Sequence, residues 1–249
     1  MIHFEDHPGP GTPLLLIAGL ASDALSWVFQ KEAFNRQHRL LLCDNRGVGR
    51  SPKPPGPYTI EQMANDILEQ LPDQKVHVLG HSMGGAIAQY LAAHHPERID
   101  KLILACTQSR FHGHTLAVTE GWARLLKLQP DADLLGRSLF PWLYTRDFLD
   151  QPGVLAACVE ALRNHPYPLE ADPIAAQVAA LKTFEPQTVG LPALILGAEE
   201  DLLSTPADCL QLKQSVAGAE LRIFKNTGHS CMLQTPEVFN QAVLEYLHP

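Results

Sequence analysis

The sequence predicts an α/β fold: a mostly parallel sheet with helices on both faces and a helical segment inserted between two core strands. Three observations predict it. Short apolar runs alternate with amphipathic stretches, the rhythm of parallel strands joined by crossover helices. Several runs, such as Leu14-Leu15-Leu16-Ile17, are continuous in large aliphatic residues, as strands buried on both faces require. The stretch from Arg110 to Gly190 has helix-like patterns and scattered prolines but no such run. A chain of 249 residues, 45% hydrophobic and 18% charged, is long enough to enclose a large core as one α/β unit.

In chain order the strands fall near Leu14–Ile17, Arg39–Cys43, Val76–Leu79, Leu102–Cys106, Ala193–Leu196 and Leu221–Phe224, with a further short one at Ile2–Phe4. Helices fit Ile60–Leu71, Met83–Ala93, Ala207–Val216 and Pro236–Tyr246. In the last of these, Val238, Phe239, Ala242, Val243 and Tyr246 recur at helical spacing, and Pro236 suits a first helical turn. In the middle segment Val154–Arg163 has a helical pattern, and Pro130, Pro141, Pro152, Pro166 and Pro168 punctuate the rest. The chain therefore divides into a core of residues 1–109 and 191–249 and a helical cap insertion of residues 110–190.

The formal net charge of -8 argues against a nucleic-acid partner, which would require a basic face. The longest apolar runs are far too short to span a bilayer, and the start Met1-Ile2-His3-Phe4-Glu5-Asp6 has no leader pattern. Cys43, Cys106, Cys158, Cys209 and Cys231 are dispersed, with no metal spacing and no CxxC. Reduced thiols in a cytoplasmic protein are the expectation.

The chemistry concentrates after three of the strands. Gly80-His81-Ser82-Met83-Gly84-Gly85 follows the strand Val76–Leu79 and opens a helix. A G-x-S-x-G turn between strand and helix is a nucleophile elbow. Its flanking positions are glycine because a side chain would collide with neighbouring backbone; a glycine-rich turn with an incidental serine is the bland alternative. A serine hydroxyl needs an adjacent base, and His229, in Asn226-Thr227-Gly228-His229-Ser230, follows the strand Leu221–Phe224. The base in turn needs an acid to hold its tautomer. Asp201 follows the strand Ala193–Leu196, with Glu199 and Glu200 as competing acidic neighbours. Open α/β sheets place their sites at such C-terminal strand ends. A tetrahedral intermediate needs two amide donors: the Met83 N–H, and the Leu20 N–H in Ala18-Gly19-Leu20-Ala21.

Across nearly its whole length the sequence resembles the α/β-hydrolase superfamily. The residues that carry the resemblance are Ala18-Gly19-Leu20, Asp44-Asn45-Arg46-Gly47-Val48-Gly49-Arg50-Ser51, the elbow, Gly197-Ala198-Glu199-Glu200-Asp201, and Gly228-His229 with Pro236-Glu237 behind it, in the order Ser…Asp…His. Within the superfamily it is similar to a small esterase and lactonase branch that includes 3-oxoadipate enol-lactonases and pimeloyl-carrier-protein methyl ester esterases. The resemblance implies an eight-stranded sheet, a helical cap, and carboxylic ester hydrolysis through an acyl-enzyme on Ser82, with no cofactor and no metal. Two departures stand out. Ala18 replaces the histidine usual in the oxyanion loop, and the short N-terminus leaves the first antiparallel strand missing or abbreviated. The resemblance also implies that Asp44 and Arg46 hold backbone groups near the elbow.

Other features carry less. Gly47-Val48-Gly49-Arg50-Ser51 lacks a third glycine, and the prolines behind it prevent a phosphate-binding helix. His112-Gly113-His114 has no third ligand at zinc-like spacing. Phe140, Trp142 and Tyr144, with Trp122 and Phe148, are candidates to line an apolar acyl pocket, with cap-to-core packing as the alternative. Arg137, Arg146 and Arg163 are candidates to meet a substrate carboxylate or an acidic carrier protein at the cap; a solvated face is the competing reading. The expected partner is a small-molecule ester or lactone, with no nucleic acid and no membrane. Two other functions stay open: an enol-lactone or C–C bond hydrolase with the same triad, and a ligand receptor that keeps the fold without catalysis.

Overall fold

A computed structural model describes residues 1–248. Its strands are β1 (Phe4–His7), β2 (Leu14–Ile17), β3 (Leu40–Cys43), β4 (Val76–His81), β5 (Ile99–Ala105), β6 (Ala193–Ala198) and β7 (Glu220–Phe224). They form one sheet in the order β1-β3-β2-β4-β5-β6-β7. Every pairing is parallel except β1 with β3. Among the described residues the sheet thus has seven strands rather than the implied eight. The expected strand at Ile2–Phe4 starts later, at Phe4, although the Asp44 N–H still donates to the His3 carbonyl (3.1 Å).

The helices follow from the intervening sequence: α1 (Val28–Asn35), α2 (Ile60–Leu68), α3 (Met83–His94), then α4 (Gly113–Lys127), α5 (Ala132–Leu143), α6 (Arg146–Leu149), α7 (Val154–Arg163) and α8 (Ala171–Lys182) between β5 and β6, and α9 (Pro206–Ser215), α10 (Cys231–Gln234) and α11 (Pro236–Leu247). The helix α2 stops earlier than its apolar pattern suggests. It starts on a capping box in which Thr59 and Gln62 each bond the other's backbone N–H. The helix α1, preceded by a 3-10 turn over Ala24–Trp27, has no clear apolar stripe in the sequence.

Alternation along the strands builds a core on each face of the sheet. Leu15, Ile17, Leu41, Val78, Leu102 and Ile195 point to one face and pack with residues of α2 and α3 such as Met63, Ile67, Ile87 and Leu91. Leu14, Leu16, Leu42, Leu79, Ile103 and Leu196 point to the other, against Trp27, Phe34, Phe239 and Val243. The helix α3 is buried nearly all round. Directly behind the serine, it has no room to shift.

The resemblance assigned Asp44 and Arg46 a shared structural role, and only Asp44 takes it. One Asp44 oxygen accepts from the Ala24 N–H (2.9 Å) and the other from the Arg50 N–H (2.9 Å). The Arg46 guanidinium instead makes a two-pronged ion pair with Asp66 of α2 (2.6 and 2.7 Å). An acceptor with two oxygens in fork geometry outcompetes isolated carbonyls for a guanidinium.

No described helix is long and apolar enough to cross a membrane. Arg137, Arg146 and Arg163 pair with Asp133, Asp147 and Glu160 respectively, each an acid close by in sequence. His112 and His114 diverge: His112 approaches Asp208 (3.8 Å), and the His114 ring packs on Trp142 (5.6 Å between centroids).

Candidate active site

The site forms where β4 turns into α3. Ser82 sits at φ 54°, ψ -117°, a backbone state costing of order 1–3 kcal/mol for a residue with a side chain. The surroundings hold it there. Its N–H donates to the Ala105 carbonyl (2.9 Å), and its carbonyl accepts from the Thr107 hydroxyl (2.7 Å) and the Gly85 N–H (2.9 Å). Glycine is required behind the serine. A Cβ on Gly84 would lie 2.2 Å from the Ile17 carbonyl oxygen and 2.7 Å from that of Ala18. Because both obstacles are backbone, Gly84→Ala is expected to push α3 off β2. It should destabilise the protein by about 1–3 kcal/mol or more, read as a lowered urea midpoint.

His229 lies on the loop between β7 and α10. Its Nε2 is 3.0 Å from the Ser82 Oγ, and its Nδ1 is 2.8 Å from an Asp201 oxygen. The ring is 4% exposed and Asp201 2%, while Ser82 is half-buried. The second Asp201 oxygen accepts the N–H groups of Leu203 and Ser204, both at 2.8 Å. The carboxylate is therefore fully partnered and its orientation fixed. The acidic neighbours separate cleanly. Glu199 and Glu200 are exposed, and Glu199 accepts the Asn226 N–H on the surface (3.1 Å).

His81 is a contributor that sequence reading passed over. Its Nε2 donates to the His229 carbonyl (2.9 Å), since a carbonyl can only accept. In the neutral ring its Nδ1 carries a lone pair, and among the described residues this nitrogen is buried without a partner. Burial, followed by the neighbouring His229 ring, pushes His81 down to about 3. A neutral His81 places no charge beside the imidazole of His229.

Of the two expected amide donors, Met83 directly follows the serine, and Leu20 lies on the loop after β2. The loop after β2 presses against the elbow: a Cβ on Gly19 would stand 3.1 Å from the Ser82 Cβ and 3.2 Å from His81 Nδ1. Among the described residues neither the Leu20 nor the Met83 N–H has an acceptor. With Ala18 in place of the usual histidine, other groups brace this loop. Asn45, buried, donates to the Ala18 carbonyl (3.0 Å), and Gln177 of α8 accepts from the Ala21 N–H (3.0 Å). Both side-chain amides were missed from sequence.

The aromatic residues of the inserted segment divide. Tyr144 follows α5 and stacks on Phe148 (5.1 Å between centroids); burial pushes its hydroxyl well above the usual phenol range. Phe140 is buried within the segment beside Tyr144 (5.9 Å between centroids), and Trp142 packs on His114. The neighbouring backbone is tied to the histidine loop. The Ser230 N–H donates to the Leu143 carbonyl (2.8 Å), and Gln234 bonds both Thr145 (2.9 Å to its hydroxyl) and the Gly228 N–H (3.1 Å).

Comparison with known proteins places this geometry among relatives. One is a protein of Caulobacter sp. (strain K31) named “Putative carbamate hydrolase RutD”, 30% identical over 259 residues that cover 99% of this chain and 95% of that protein. Among solved structures, an enol-lactonase from Burkholderia xenovorans LB400 superposes with a TM-score of 0.87 at 27% identity, covering 100% of this chain and 96% of that one. A thermophilic esterase from Thermogutta terrifontis does so with a TM-score of 0.83 at 25% identity, covering 99% and 92%. Residues 12–236 match the alpha/beta hydrolase fold family, and the chain belongs to that family.

Proposed function

We propose that this protein is a cofactor-free serine hydrolase that cleaves a carboxylic ester through an acyl-enzyme. One observation carries the reading: the unbroken chain from Ser82 Oγ to His229 Nε2 (3.0 Å) and from His229 Nδ1 to Asp201 (2.8 Å). Asp201 holds the proton on Nδ1, which leaves Nε2 free to accept the serine proton. As Ser82 attacks the carbonyl carbon, that proton moves to His229, and Asp201 stabilises the imidazolium. The negative oxygen is received by the Leu20 and Met83 amides. Collapse expels the alcohol, which takes the proton back from His229. Water, deprotonated by the same ring, then releases the acid and restores the hydroxyl.

The names of the relatives favour a second substrate class for the same machinery. A carbamate or a lactone also presents a carbonyl carbon to Ser82 and an oxygen or nitrogen to leave. The test is a panel of p-nitrophenyl esters, aryl carbamates and lactones, followed by stopped flow on the best substrate. A burst of product equal to the enzyme concentration supports the acyl-enzyme. Inertness toward the whole panel, together with failure to react with a fluorophosphonate, would favour the receptor reading.

A further inference from the structure

Gln177 lies on α8, the last helix before β6, 156 residues from Ala21 of the loop after β2. It is fully buried, and both ends of its amide are used. The Oε1 accepts from the Ala21 N–H (3.0 Å), and the Nε2 donates to the Arg46 carbonyl (2.9 Å). A flipped amide would set donor against donor and acceptor against acceptor, so its orientation is locked. Its partner loop is short and unusual. Ala21 has φ 58°. The Ser22 hydroxyl donates to the Leu20 carbonyl (3.3 Å), and the Ser22 N–H to the Gly19 carbonyl (3.3 Å). The Leu20–Ala21 peptide is thus held at its oxygen by Ser22 and at its N–H by Gln177. Holding that peptide limits rotation at Leu20, whose own N–H is the candidate oxyanion donor.

We propose that Gln177 is a positioning residue: through it the helical segment between β5 and β6 sets the aim of the Leu20 amide. This rests on the serine-hydrolase reading above. The fold itself does not need the amide, because Ile174, Val178 and Leu181 anchor α8 by apolar burial. The role falls to a glutamine from a distant helix because the Ala18 methyl group offers no hydrogen bond with which to brace its own loop. A donor displaced by a few tenths of an ångström costs transition-state binding and leaves ground-state binding almost unchanged.

The test uses Gln177→Met, which keeps length without polarity, and Gln177→Ala, which leaves room for water. Each is assayed for kcat and KM on p-nitrophenyl butyrate, for the rate of fluorophosphonate labelling at Ser82, and for Tm. The expected result is a folded protein with kcat lowered about 10- to 100-fold, KM within about twofold, and labelling slowed in step. A folded Gln177→Met enzyme with wild-type kcat overturns the proposal. So does failure of both variants to fold, which would make the amide a structural requirement, or a loss confined to KM. Wild-type protein is measured alongside: absence of turnover and labelling there would defeat the parent reading, whereas wild-type values in the variants defeat this proposal alone.

Discussion

Ser82→Ala is expected to lower kcat/KM on an activated ester by about 10⁴- to 10⁶-fold, the range seen when an acyl-transfer nucleophile is deleted. The loss is large because nothing replaces the covalent path. What remains is whatever the Leu20 and Met83 amides and substrate binding contribute to attack by water. Stability should hardly change. Among the described residues the Ser82 Oγ has one hydrogen-bond partner, His229, and the bonds that secure the elbow go to the Ser82 backbone. Steady-state kinetics with Tm as a folding control checks this. Activity surviving at more than a hundredth of wild type would show that another group attacks the carbonyl.

Asp201→Asn is expected to cost about 10⁴-fold in kcat, by a tautomer error rather than by lost structure. One oxygen at this position accepts two N–H groups, from Leu203 and Ser204. Asparagine must leave its carbonyl there, because turning its NH₂ toward two donors would leave three groups unpaired in a buried site. The NH₂ then faces His229 Nδ1 and obliges that nitrogen to accept. The proton moves to Nε2, which points at Ser82 (3.0 Å) and can no longer receive the serine proton. The variant should fold, keep KM near wild type and label slowly with a fluorophosphonate. A loss of tenfold or less would indicate that the carboxylate does not control the tautomer.

Legibility in the sequence followed the range over which each interaction acts. The strands could be read because burial on both faces demands uninterrupted aliphatic residues, as in β2, whose four residues are all buried. The elbow could be read because one of its glycine requirements is local: a Cβ on Gly80 would lie 2.3 Å from the Gly84 carbonyl oxygen, within the same turn. The choice among Glu199, Glu200 and Asp201 could not be settled by spacing. It depends on which carboxylate the turn buries, and the Leu203 and Ser204 N–H groups bury Asp201.

The braces of the site were illegible for a related reason. Gln177 stands in a helix among Ala176, Val178 and Ala179 and looks like an ordinary polar position, yet its partner Ala21 is 156 residues away. Gln234 and Thr145, which join the histidine loop to the inserted segment, are separated by 89. Arg46 was misjudged because its carboxylate partner lies on a different element, Asp66 of α2. The histidine missing at Ala18 marked a loop in need of support without indicating where the support would come from.

Everything chemical here depends on His229 activating the Ser82 hydroxyl. The most direct measurement is the rate and site of fluorophosphonate modification, by intact mass and peptide mapping, in wild type and in His229→Ala. Wild type should gain one adduct, on Ser82, and the variant should react about 10³-fold or more slowly while remaining folded. An adduct on any other residue, or a His229→Ala protein labelled on Ser82 at the wild-type rate, would contradict the account.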